Sequence, residues 1–233
     1  EWGALRGLET FAQLTQWDGR LYMLCGLPLA LADAPAHAWR GLLLDTARHY
    51  LPMRSALLPM LDAMEAIKLN TLHWHLTDAH SFPLAAGHAS SRLASAGAYD
   101  ASLSYSAAEI SEIVAAASAR GIRVVPELDM PAHAASWGAA ASDLVIPCPR
   151  RVAADEEGIE HGVNKERAPE REHLAIDSLM RRARAQVALH PLREQTYTLA
   201  RSLLSELASL FTDRYVHLGG DEATSRTSRS KAA

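Results

Sequence analysis

Four short apolar runs in this sequence each end in polar or charged side chains, and helix-period segments lie between them. Arg40-Gly41-Leu42-Leu43-Leu44 runs into Asp45, Thr46, Arg48 and His49. Leu69 to Leu76 ends at Thr77 and Asp78, and Ile122 to Val125 leads into Pro126, Glu127, Leu128 and Asp129, with His133 four residues on. Tyr215 to Leu218 meets two glycines and then Asp221 and Glu222. A continuous apolar run of this length suits a strand buried on both faces, as in a parallel sheet. The intervening segments have another period. Leu57, Leu61, Met64 and Ile67 recur at helical spacing between Ser55 and Lys68, with Pro59 tolerable only in the first turn. Ser106 and Glu109 form a capping box ahead of Ile110, Ile113, Val114 and Ala117, and Gly121 supplies the stop. Ala200, Leu203, Leu204, Leu207 and Leu210 mark a third amphipathic helix.

Strand followed by helix, three times, and then a strand, predicts parallel strands with right-handed crossovers. Polar residues gather after every strand, and in a β/α barrel the C-terminal strand ends build the active site. The expected class is therefore α/β, of the (β/α)8 TIM-barrel type, with about the first four β/α units present.

The remaining segments carry less. Residues 1–39 read as a lead-in, with a short helix over 8–14, a strand over 21–24 and a loop punctuated by Pro28 and Pro35. Residues 40–224 form the partial barrel, interrupted at 150–190 by a charge-rich insertion expected to be solvated, with one weak helix over 174–187. Residues 225–233 read as an unstructured tail. The 233 residues suffice for one sizeable core. A net charge of −4 gives no basic field for nucleic acid. No apolar run is long enough to span a membrane. Cys25 and Cys148 are the two cysteines; they lack metal or redox spacing, and a single disulfide between them stays open. Glu1-Trp2-Gly3 shows neither an initiator Met nor a signal-peptide pattern, so the chain reads as a fragment, a mature form or an incomplete gene model.

The chemistry concentrates at Gly219-Gly220-Asp221-Glu222. Glycines without a Cβ allow close approach of backbone or ligand. Adjacent carboxylates repel, so one tends to hold a proton near neutrality, and a neutral acid beside an ionised one is what general acid catalysis requires.

The motifs carry a resemblance. Arg40-Gly-Leu-Leu-Leu-Asp-Thr-Ala-Arg-His-Tyr-Leu-Pro52, Lys68-Leu-Asn-Thr-Leu-His-Trp-His-Leu-Thr-Asp78, Glu127-Leu-Asp-Met-Pro-Ala-His133 and His217-Leu-Gly-Gly-Asp-Glu222 resemble the four successive strand motifs of the family 20 glycoside hydrolases, the β-N-acetylhexosaminidases. Gly7-Leu-Glu-Thr-Phe-Ala-Gln-Leu14 resembles their segment entering the barrel. The resemblance implies hydrolysis of terminal β-linked N-acetylglucosamine or N-acetylgalactosamine, with retention and without a cofactor or metal. Substrate assistance is the exception this family makes among glycosidases. Glu222 would be the general acid, and Asp221 would orient the 2-acetamido group whose oxygen attacks the anomeric carbon. Arg48 would grip sugar hydroxyls, and His133, held by Asp78, would tune the acid. Asp129 would support that network. Trp137 has a family counterpart and reads as packing. Glycans as partners, a lysosomal or secreted location and a homodimer in a full-length form are further implications.

The pattern also departs from the family. Ala223 stands where a Val is usual, the residues after Thr224 match nothing in it, and strands five to eight are absent. Open sheet edges and self-association are then expected, with inward residues including Leu43, Leu72, Val124 and Val216 short of partners. Three alternatives stand beside this reading. His73 and His75, sharing a strand face, could hold a metal in an amidohydrolase-type barrel. Gly-Gly-Asp-Glu also occurs in nucleotide cyclases, although Phe does not follow here. An inert remnant or glycan-binding fragment of the same family is the third. His49, His80 and His88 read as ordinary polar or surface residues.

Overall fold

The computed structural model describes residues 2–147 and 187–221. The chain opens with helix α1 (Trp2–Gln13) and a small antiparallel hairpin, β1 (Thr15–Trp17) with β2 (Tyr22–Leu24). The Arg6 guanidinium fixes α1 beneath the sheet by donating to the carbonyls of Glu65, Leu69, Arg120 and Gly121 at 2.7–3.2 Å. One cation thereby satisfies carbonyls exposed where two helices end and a strand begins.

Strand β3 (Gly41–Asp45), helix α2 (Leu58–Ala66) and strand β4 (Thr71–Thr77) form the first repeat. Pro59 lies in the first turn of α2, which continues directly from a single π-helical turn over Met53–Leu57. A two-residue pair, β5 (Leu84–Ala85) with β6 (Tyr105–Ser106), brackets helix α3 (His88–Gly97). Neither this pair nor α3 has a strong enough sequence period to be read in advance. Helix α4 (Ala107–Ala119) starts at the capping box: Ser106 Oγ accepts from Glu109 N, and Glu109 Oε2 accepts from Ser106 N at 2.9 Å. Ile110, Ile113, Val114 and Ala117 are all buried, and Gly121 ends the turn at a φ of +64°.

Strand β7 (Arg123–Leu128) lies beside β4, so the parallel sheet runs β3–β4–β7. In register, Leu43 faces His73 and His73 faces Val125; one layer on, Asp45, His75 and Glu127 are aligned. Short helix α5 (Ala135–Gly138) and an antiparallel pair, β8 (Val145–Pro147) with β9 (Val187–Leu189), follow, then helix α6 (Glu194–Leu210). The α6 carboxylate of Glu206 accepts from the backbone N–H groups of Ala89 and Ser90 at 2.7 and 3.1 Å, capping the start of α3.

The fourth sheet position is thinner than the sequence suggests. His217 forms a single parallel bridge with Glu127. His217 N–H donates to Pro126 O (2.9 Å), Leu128 N–H to His217 O (3.1 Å) and Met130 N–H to Leu218 O (3.0 Å). The expected buried strand over 215–218 is instead exposed at Tyr215, His217 and Leu218, because it has a neighbour on one side only.

Two more expectations change. Leu72 and Val124 do not face the barrel axis. They pack with Trp74, Leu76 and the helices, so period-two alternation sends Leu43, His73 and Val125 to the other face. Strand β3 is not buried on both faces: Gly41, Leu42 and Leu43 are exposed on a sheet edge. Of the expected insertion over 150–190, 187–189 is strand β9, His190 follows it, and 150–186 lie outside the described residues, as does the expected helix over 174–187 apart from Val187, which is in β9. The tail over 225–233 lies outside them too. No described helix is long and apolar enough to cross a membrane.

Candidate active site

Each strand hands one or more polar side chains to the same end of the sheet. After β3, Asp45 Oδ1 accepts the backbone N–H groups of Ala47 and Arg48 at 3.0 and 2.9 Å, an Asx-type turn that folds the chain back. The Arg48 guanidinium is thereby placed to pair with Asp45 and to reach Asp78 Oδ2 at 2.7 Å.

Strand β4 carries His73 and His75 on its inner face, and a register shift between His75 and Thr77 precedes Asp78. The Asp78 side chain is 0% exposed. Its Oδ2 meets Arg48, His75 Nε2 (3.1 Å) and His133 Nδ1 (3.3 Å), while Oδ1 meets His80 Nδ1 (2.9 Å). Burial works against the carboxylate, but bonds from His75 and His80 and the charges of Arg48 and His133 hold it well below the usual carboxylate range. Asp78 therefore favours its ionised form near neutral pH.

After β7 the chain turns through Asp129 and a cis Met130–Pro131 bond to His133, which sits at a φ of +56°. His133 Nδ1 lies 4.0 Å from Asp129 Oδ2 as well as beside Asp78. Asp129 is buried, and its Oδ1 accepts Gly220 N–H at 3.3 Å. Burial, together with the nearby charge of Asp221, raises its affinity for a proton. The Gly219-Gly220 turn therefore docks on Asp129 and brings Asp221 to the same end of the sheet. Glu222 lies outside the described residues, and so does Cys148; Cys25 is exposed.

Trp137 is 1% exposed and packs edge-on against Phe82 at 5.5 Å, in keeping with its reading as packing. Its neighbour Ser136 donates to Asp78 O at 2.6 Å, which ties α5 to the site.

Three participants escape a reading by motif alone. His80 is not an ordinary surface residue; it bonds Asp78 because the turn after β4 brings it back over the carboxylate. His75 and Glu127 sit one layer deeper, with His75 Nδ1 at 3.1 Å from Glu127 Oε2. Glu127 also meets His73 Nε2 (2.5 Å) and His217 Nδ1 (3.3 Å), and the His73 and His217 rings lie 4.6 Å apart. Burial opposes the Glu127 charge, yet His75 and the other imidazoles keep its proton affinity below normal. The alternation His73-Trp74-His75 was the available signal, since it places both imidazoles on one face. Both imidazoles lie against the Glu127 carboxylate.

The family model for the glycosyl hydrolase family 20 catalytic domain matches residues 37–233. The chain belongs to glycosyl hydrolase family 20. It is 36% identical over 221 residues to beta-hexosaminidase subunit A1 of Dictyostelium discoideum and to the human beta-hexosaminidase subunit beta. Each alignment covers 95% of this chain and 36% or 34% of the relative, so the chain spans about a third of their length. Among solved structures, the Flavobacterium johnsoniae chitobiase superposes with a TM-score of 0.72 at 30% identity, covering 97% of this chain and 30% of that one. The Streptomyces plicatus N-acetyl-β-hexosaminidase gives a TM-score of 0.68 at 26% identity, covering 95% and 41%. The fold of this family 20 chain is the first half of a TIM-type (β/α)8 barrel.

Proposed function

We propose that this chain carries one half of the active site of a retaining β-N-acetylhexosaminidase, which removes terminal β-linked N-acetylglucosamine or N-acetylgalactosamine from glycans in a lysosomal or secreted setting. The carrying observation is the convergence of Arg48, Asp78, Asp129 and His133 from three strand ends, with the Gly219-Gly220 turn docked on Asp129. Arg48 has the rigid donor fork that suits vicinal sugar hydroxyls. Asp78, kept anionic, orients His133, and His133 in turn sets the protonation of the acid, Glu222. Asp221 meets the substrate acetamido group, whose oxygen attacks the anomeric carbon as Glu222 protonates the leaving oxygen. Water then opens the oxazolinium ion with Glu222 as base, and configuration is retained.

The test is hydrolysis of aryl N-acetylglucosaminides by the chain joined to the four β/α units that complete a family 20 barrel. In that enzyme Glu222→Gln should abolish turnover of unactivated glycosides and slow the first step of activated aryl glycosides less, because a good leaving group needs little protonation. Equal loss with both leaving groups would remove Glu222 from the acid's role. The open inner face, where Leu43 is 56% exposed, favours a second reading, a non-catalytic glycan-binding piece. Saturable turnover separates the two.

A further inference from the structure

We propose that His75 and Glu127 are positioning residues for this reaction, a buried ion pair that fixes Asp78 and through it His133; the role in the reaction rests on the hexosaminidase reading above. A carboxylate can only accept. His75 has one at each ring nitrogen: Asp78 Oδ2 at 3.1 Å from Nε2, and Glu127 Oε2 at 3.1 Å from Nδ1. With both carboxylates ionised, this arrangement favours a proton on each nitrogen and an imidazolium ring. His75 is 5% exposed and Glu127 4%. Their Cα atoms are register partners on β4 and β7, so the pair is held by the sheet itself and not by loops.

The energetics agree. Burial by itself would favour a neutral His75, but the bonds to Asp78 and Glu127 and the charge of Asp45 outweigh it and raise its pKa to about 10. Asp45 faces His75 across β3, His73 and His217 face Glu127, and the Asp129 carboxylate lies within 4.8 Å of both members of the pair.

The consequence reaches the site. Asp78 Oδ2 is shared by Arg48, His75 and His133. With His75 supplying a fixed positive charge from below, Asp78 stays ionised and aimed, and it commits His133 to presenting Nδ1 toward it. Without the Glu127 charge, His75 loses its proton nearer neutrality. A neutral imidazole has one N–H, so one carboxylate goes without its donor, and the orientation of Asp78 loosens. Glu127→Gln isolates the charge, since the amide oxygen can still accept from Nδ1–H.

The experiment has two readouts. Histidine C2-hydrogen exchange, read by fragmentation mass spectrometry on the full 233-residue chain, gives the titration midpoint of His75 and tolerates oligomers. His75 should remain protonated through pH ~8, and Glu127→Gln should lower its midpoint by more than about one unit. A wild-type midpoint near the ordinary histidine value of about 6.5 would overturn the pair; that result stands even if the variant fails to fold. In the completed barrel, Glu127→Gln should reduce kcat about 10-fold or more, leave KM within about twofold, and move the alkaline limb of the rate profile to lower pH. An unmoved limb would overturn the positioning role. A protonated His75 in a completed wild-type barrel that shows no turnover would instead sink the hexosaminidase reading, and the role in the reaction with it, while the ion pair stood.

Discussion

A Cβ placed on Gly219 would lie 1.8 Å from Asp129 Oδ1. Gly219 also sits at a φ of +65°, where a side chain is strained, and Asp129 Cα is 3.0 Å from the same point, so moving the carboxylate alone does not clear the space. Gly219→Ala should therefore undock the fourth sheet position. Positive φ in a non-glycine residue costs about 1–3 kcal/mol. The amides of Leu128 and Met130, which donate to His217 and Leu218, should exchange faster in the variant. Unchanged protection at both amides would show that Gly219 does not set this docking.

Asp78 joins more of the site than any neighbour. Asp78→Ala leaves the His75 imidazolium and Arg48 facing a hole, and removing one member of a buried charged pair costs about 3–5 kcal/mol. Arg48→Lys should be milder for stability, since that side chain is 42% exposed, but should weaken sugar binding, because a point charge cannot replace a planar fork. Denaturation midpoints decide the first expectation and KM in the completed barrel the second. Equal stability losses for the two variants would argue against Asp78 as the centre.

The pH dependence follows from sign. His75 binds its proton more tightly folded than unfolded, so its contribution to stability is full below the ordinary histidine value of about 6.5 and is lost as pH rises toward about 10. Asp78 is shifted down, so its contribution is present above the ordinary aspartate value of about 3.9 and is lost as pH falls below it. The melting temperature of the wild-type chain should fall between pH ~7 and ~10, and that slope should flatten in His75→Gln. Parallel wild-type and variant curves over this window would place the charge elsewhere.

Asp221→Ala in the completed barrel should cost about 10²-fold or more, the scale of one preorganised electrostatic group, and the loss should fall on 2-acetamido sugars. If the unmodified completed enzyme cleaved a plain β-glucoside as well as its 2-acetamido analogue, substrate assistance would be the wrong mechanism.

The described sheet has two open edges, one along β3 and one beyond 215–218, and Leu43 is 56% exposed on the inner face. Unpaired strand edges are templates for pairing with another chain. The 233-residue chain by itself should self-associate in a concentration-dependent way and show no hexosaminidase turnover. Light scattering and an aryl N-acetylglucosaminide assay read both. A cooperatively melting monomer with turnover would mean that four strands suffice.

Features legible along the chain are local or periodic. The Ser106–Glu109 capping box, Pro59 in a first turn, the Gly121 stop and three amphipathic faces depend on residues a few positions apart, so they can be read from spacing. The motifs at Arg48, Asp78, Asp129 and His133 pointed to one end of the sheet for the same reason: each follows a strand. Which side chains meet was set by how the strands and helices pack. The direction of Leu72 and Val124 depended on which strand face the helices cover. The exposure of Gly41, Leu42 and Leu43 depended on β3 having one neighbour. His80 turned from surface residue to Asp78 partner through one tight turn, and His75 met Glu127 through a register set by β4 and β7. Contacts across strands far apart in sequence have no signature in local period, because the pairing is fixed by packing of the whole sheet and not by any one segment.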